Sequence, residues 1–102
     1  MELLFSNIPI RNFLQDVQQA MFAQAGAKKI TMDLNVAEEL DDMIADKVRL
    51  KQIVLNLVSN AVKFSRSESK IIISAKRVQN DIEISVQEFG LGIRSEEINK
   101  LF

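Results

Sequence analysis

The chain has no cysteine and no histidine in its 102 residues. The first absence excludes a disulfide framework and thiol chemistry. The second removes the commonest metal ligand and proton shuttle, so zinc sites and triad hydrolases are excluded as well. An excess of charge of one sign is also missing: Lys and Arg number 13, Asp and Glu 14. Such a balance supplies no broad field for nucleic acid or an anionic membrane, and any anion site must be local. No apolar run approaches membrane-spanning length, and Met1-Glu2-Leu3-Leu4-Phe5 lacks the basic flank of a secretory signal. The expectation is a soluble, cytoplasmic protein without nucleic-acid or membrane contacts.

What is present suits one compact domain over residues 1–102, since a chain of this length with 47% hydrophobic residues has material for a single core. After a short apolar opening, the lone proline, Pro9, sets an entry point. Ile10, Phe13, Leu14, Val17 and Met21 then recur on one helical face. This helix is expected to stop near Gly26, whose backbone tolerates left-handed geometry, with Lys28 and Lys29 near the negative end of its dipole. Ile30, Met32, Leu34 and Val36 alternate with polar residues as a half-buried strand does. Glu38 to Asp42 reads as a solvated connection.

Asp46 is a candidate N-cap for a helix from about Lys47 to Phe64. Leu50, Ile53, Val54, Leu57, Val58 and Ala61 make its core stripe, while Leu55 and Val62 place apolar groups on further sides. Ser65 to Ser69 is a polar link. Ile71 to Val78 and a strand carrying Ile82, Ile84 and Val86 then read as a hairpin around Gln79-Asn80-Asp81. Glu88 falls on the apolar face of the second strand. Beyond Gly90 and Gly92, Ser95 is expected to cap a short helix with Glu96 and Glu97 in its first turn. The order is strand or loop, helix, strand, helix, strand, strand, short helix, a mixed α+β layer.

Two constellations carry chemistry. Asn56, Asn60 and Lys63 stand at i, i+4 and i+7, so two amides and an ammonium stack along one side of a helix. An amide oxygen suits a hard cation such as Mg2+, and a lysine one turn on suits the phosphate oxygens that the cation bridges. The bland reading is a solvated polar face. Glu88, followed by Gly90, Gly92 and Ile93, combines a carboxylate that needs a donor with glycines that permit close backbone approach, as at the mouth of an adenine pocket. The bland reading there is an ordinary turn with a solvated glutamate.

The two in this order carry a resemblance. Asp46 to Ser65, with its leading Asp-x-x-Arg-Leu-x-Gln and its Asn56, Asn60 and Lys63, looks like the N box of bacterial sensor histidine kinases. Val86 to Ile93 resembles the first glycine box of that family, and 95–102 is similar to the approach to its F box. The resemblance implies a two-layer α/β sandwich shared with the gyrase B and mismatch-repair ATPases, binding ATP and Mg2+. It implies that Asn60 binds the metal and that Lys63 contacts phosphate. Asn56 would stand where hydrolysing relatives place a glutamate base, and Gly90, Gly92 and Ile93 would shape the adenine pocket and lid hinge. Glu88 departs from the family's aspartate. In the full kinase the γ-phosphoryl group would pass to a histidine on a separate dimerisation domain and onward to a response regulator.

The family continues past Phe102 through the lid and a second glycine box. The resemblance therefore implies a C-terminally truncated domain, inactive alone, whose exposed edge favours self-association. Two alternatives remain: a non-catalytic interaction module with decayed nucleotide binding, and a serine kinase of the anti-sigma type, which the wording Asn60-Ala-Val-Lys-Phe-Ser fits less well.

Overall fold

The computed structural model describes residues 4–38, 40, 42–89 and 94–98, with Phe89 and the last five described by backbone alone. Strand β1 (Phe5–Ile8) leads through Pro9 into helix α1 (Ile10–Ala20), followed by α2 (Phe22–Ala27) and β2 (Thr31–Val36). Next come β3 (Met43–Asp46), α3 (Lys47–Phe64), β4 (Lys70–Val78), β5 (Asp81–Phe89) and β6 (Arg94–Ile98). The strands form a four-stranded sheet in the order β2-β4-β5-β6 and a small ribbon of β1 with β3. β2 and β4 are parallel, and α3 lies within the crossover such strands require; the other pairings are antiparallel.

The helices cover one face of the sheet, which gives the expected mixed α+β, two-layer arrangement. Met32 and Ile71 stand opposite each other in the parallel pair, as do Leu34 and Ile73, and Ile73 in turn faces Val86 across the β4–β5 ladder. Those side chains point towards the helices because the period of a strand is two. They meet Phe13, Leu14 and Val17 of α1 and Leu50, Val54, Val58 and Val62 of α3 in one continuous core. The other sheet face carries charge: Lys70 pairs with Asp33 at 3.1 Å, and Lys76 with Glu83 at 3.7 Å.

Three expectations change. The first helical stretch does not run unbroken to Gly26: it turns at Met21, whose amide donates to both the Val17 and Gln18 carbonyls at 3.2 Å. Nor is Gly26 left-handed; that backbone belongs to Lys29, with φ 56°. The Lys29 amide donates to the Gly26 carbonyl and the Ile30 amide to that of Ala25, the paired bonds of a Schellman motif. Ile30 is buried, so the burial that follows the turn holds a lysine where a glycine would sit at less cost.

The short helix expected from Ser95 is not formed. Arg94–Ile98 instead pairs antiparallel with β5, Glu88 opposite Arg94 and Ile84 opposite Ile98, so backbone groups on that edge of β5 find partners in the ladder. The connection after Val36 also leads into β3, which the periodicity did not reveal. Its Met43 and Ala45 are buried while Ile44 and Asp46 face outwards, an alternation too short to stand out in a sequence.

Candidate nucleotide site on the third helix

The site begins with how α3 is held. Asp46 caps its first turn: the Arg49 amide donates to Oδ1 at 3.1 Å, and the Leu4 amide of the neighbouring chain segment donates to Oδ2 at 3.0 Å. Those bonds hold the Asp46 carboxyl below its ordinary value of 3.8, Arg49 contributing most, so the cap stays ionised through the neutral range. The other end is tied by a residue from elsewhere. The Lys28 ammonium donates to the carbonyls of Val62 at 2.9 Å, Lys63 at 3.0 Å and Ser65 at 2.6 Å, satisfying oxygens left without partners at a helix C-terminus. The hydroxyl of Ser65 turns back onto the carbonyl of Ala61.

Between these anchors Leu50, Val54, Leu57, Val58 and Val62 are buried, and Ile53, Leu55 and Ala61 are half-buried. Packing therefore covers much of the helix, and the remaining open strip carries Gln52, Asn56 and Asn60. With Ile53 and Leu57 they line a concavity of about 520 Å³. Both asparagines are exposed, and no hydrogen bond among the described residues occupies either amide. Lys63 stands one turn beyond; its Nζ lies 5.3 Å from the centre of the Phe64 ring. The concavity thus unites Asn56 with Asn60 and does not include Lys63.

Glu88 occupies the helix-facing side of β5, opposite the fully buried Ile71, and is half-buried. Because Lys70 and Ile71 open β4 directly after the Ser65–Ser69 link, their partners Phe89 and Glu88 lie at the end of the sheet reached from the C-terminus of α3. Glu88 and the Asn60–Lys63 end of α3 therefore belong to the same end of the molecule. Gly90, Gly92 and Ile93 lie outside the described residues. Among the described residues no buried side-chain oxygen or nitrogen lacks a partner, and no three His, Cys, Asp or Glu side chains cluster as a metal site. A cation here would need amide and phosphate oxygens, the set that Mg2+ accepts while keeping several waters.

The open amide strip lies within residues 45–102, which match the model of histidine kinase-, DNA gyrase B-, and HSP90-like ATPases. The chain belongs to that ATPase family. Within the family its similarity is to sensor kinases. It is 31% identical over 99 residues to the signal transduction histidine-protein kinase BarA of Escherichia coli K12, covering 92% of this chain and 11% of BarA. The sensor protein GacS of Pseudomonas syringae pv. syringae is 34% identical over 110 residues, covering 99% of this chain and 12% of GacS. The chain therefore spans only about a tenth of the length of those relatives. Full-length ShkA in complex with AMPPNP superposes with a TM-score of 0.82 at 30% identity, over 92% of this chain and 20% of ShkA.

Two residues that line or hold the third helix had no distinct signal in the sequence. Gln52 extends the Asn56–Asn60 spacing by one turn towards the N-terminus, a signal that was present but indistinguishable from a solvated glutamine. Lys28 had no local signal of its role, because the carbonyls it holds belong to a helix end more than thirty residues away. No helix among the described residues is long and apolar enough to cross a membrane.

Proposed function

We infer that this chain is the nucleotide-binding portion of a sensor histidine kinase catalytic domain, taking ATP with Mg2+. In the whole kinase it would serve transfer of the γ-phosphoryl group to a histidine on a separate dimerisation domain, and then to a response regulator, in the cytoplasm. The concavity that joins Asn56 and Asn60 carries this reading: two solvent-facing amides sit one turn apart on the side of the helix opposite its buried stripe. The nucleotide analogue bound by the similar ShkA supports it.

The roles follow from donor chemistry. The amide oxygen of Asn60 holds Mg2+, which when bound neutralises phosphate charge. Asn56 lies beside the phosphates as a neutral amide; it has no basic atom to take a proton from water, so phosphoryl transfer is favoured over hydrolysis. Lys63 leaves the Phe64 ring for phosphate oxygens. An exposed cation–π contact is worth about 0.5–1 kcal/mol, whereas a hydrogen bond to a charged group contributes about 1.5–3 kcal/mol. Glu88 accepts from the adenine amine, while Gly90, Gly92 and Ile93 shape the adenine pocket and the hinge of the lid. With no histidine in the chain, the phosphoacceptor must come from elsewhere, and the chain alone does not phosphorylate itself on histidine.

Glu88 is one methylene longer than the aspartate of the family pattern, which displaces its carboxylate by roughly one carbon–carbon bond length and strains a direct hydrogen bond to adenine. Glu88→Asp is therefore expected to tighten binding of ATP in the presence of Mg2+, measured by titration calorimetry. Unchanged or weaker binding removes this account of the residue. The native glutamate at position 88, in place of the family's aspartate, favours a second reading, a non-catalytic interaction module that keeps the fold. Absence of Mg2+-dependent binding of a fluorescent ATP analogue to the native chain would select it.

A further inference from the structure

We propose that Lys28 is a positioning residue for the phosphate end of the nucleotide site, a role that rests on the nucleotide reading above. Its ammonium bridges three carbonyls, those of Val62, Lys63 and Ser65, at 2.6 to 3.0 Å. One of these belongs to the backbone of Lys63 itself, and Val62 is only two residues after Asn60. The main chain of the same residue is held as well: the Glu68 amide donates to the Lys28 carbonyl at 3.0 Å. Lys28 thus ties the turn after α2, the last turn of α3 and the link into β4 at one point.

The consequence is geometric. Helix ends fray because their last carbonyls have no partners within the helix. Asn60 and Lys63 lie in the last two turns of α3, where fraying would rotate the amide and the ammonium apart. A cation placed on those carbonyls keeps the last turn closed and also favours the negative end of the helix dipole. The neighbouring left-handed Lys29 brings the chain round after Lys28, and buried Ile30 fixes the turn. Lys28 touches neither nucleotide nor metal in this scheme. It fixes the backbone from which Asn60 and Lys63 project, and binding sites lose affinity steeply when supporting contacts loosen.

The test compares the 102-residue chain with Lys28→Met, which keeps an apolar stem and removes the donors, Lys28→Arg, which keeps charge and donors, and Lys76→Met, which removes a lysine from the far end of β4. Each is titrated with a fluorescent ATP analogue in Mg2+, and separately with adenosine as competitor. For Lys28→Met the expected result is a loss of roughly 10-fold in affinity for the triphosphate, with adenosine affinity nearly unchanged. Lys28→Arg should restore most of the loss, and Lys76→Met should match the native chain. A general loss of stability would not separate triphosphate from adenosine in this way.

If the native chain binds no triphosphate, the nucleotide reading falls and this inference with it. If it binds, and Lys28→Met keeps the native ratio of triphosphate to adenosine affinity, only the role of Lys28 falls. Should Lys28→Met fail to fold, nitrogen-15 NMR of the native chain decides. A Lys28 ammonium resonance that persists at neutral pH and shifts when Mg2+ and the ATP analogue are added supports the role. A resonance lost to solvent exchange, or unmoved by the ligand, overturns it.

Discussion

The helical stretch over residues 10–27 and the helix over 47–64 both carry an apolar stripe, yet they use their remaining surface differently. In the first, Ile10, Phe13, Leu14 and Val17 are buried on one side, and the opposite side is open along its length. Two of its polar side chains serve the fold directly: Arg11 donates to the Val36 carbonyl at 3.2 Å and Gln18 to that of Met32 at 2.7 Å. In the second, packing covers more of the circumference, and the open side, which also carries Lys51 and Lys63, holds a row of amides along a shared concavity. An exposed polar residue therefore carries little information on a featureless helix face and more where several amides share a concavity.

That contrast can be broken from the largest expected effect downwards. Leu14 is fully buried in the first stretch, and Leu14→Ala is expected to cost about 2–5 kcal/mol of stability. Urea denaturation measures it, and a cost under ~1 kcal/mol would mean that α1 packs loosely and is not the equal of α3 in the core. The next effect lies in binding. Asn60→Ala should weaken Mg2+-dependent affinity for an ATP analogue by an amount worth about 1.5–3 kcal/mol, while Gln19→Ala on the open face of α1 should change neither binding nor stability by more than ~0.5 kcal/mol. Equal effects at the two positions, read by the same titration, would erase the distinction between the faces.

The smallest expected effect sharpens how the first stretch ends. Lys29 holds a left-handed backbone without being glycine, so Lys29→Gly should stabilise the chain by up to ~1 kcal/mol, relief of the strained backbone being partly offset by the freer unfolded chain. Thermal denaturation checks the sign. A destabilised variant would mean that the side chain of Lys29 contributes more than its backbone costs.

Much of the fold was legible because its signals are local and periodic. The α3 boundaries followed from the Asp46 cap and the apolar spacing, and the β4–β5 hairpin from two alternating runs around Gln79 and Asn80. The candidate site was legible only as a list of residue types at helical spacing; that Asn56 and Asn60 share one concavity while Lys63 stands outside it depends on how the helix packs. The errors also have causes. Gly26 suggested a left-handed stop, but the Schellman hydrogen bonds fall three residues later, where Ile30 can be buried. Ser95 with Glu96 and Glu97 satisfied the local pattern of a helix start, yet that segment pairs with the open edge of β5, and a ladder partner distant in sequence outweighed local preference.

Lys28 shows the division most clearly. Its sequence position near a helix end suggested a cation favouring a dipole, and that physics is correct, but the helix is α3 and not the one that precedes it. Composition and spacing alone determined the α+β class, the exclusion of thiol and histidine chemistry, and the amide row with its lysine, because each depends on residue type and on the fixed periods of helix and strand. Tertiary structure alone decided which helix end Lys28 ties down, and that Glu88 shares an end of the molecule with Asn60. Those facts depend on how distant segments meet, and hydrogen bonds between residues far apart in the chain leave no period in the sequence.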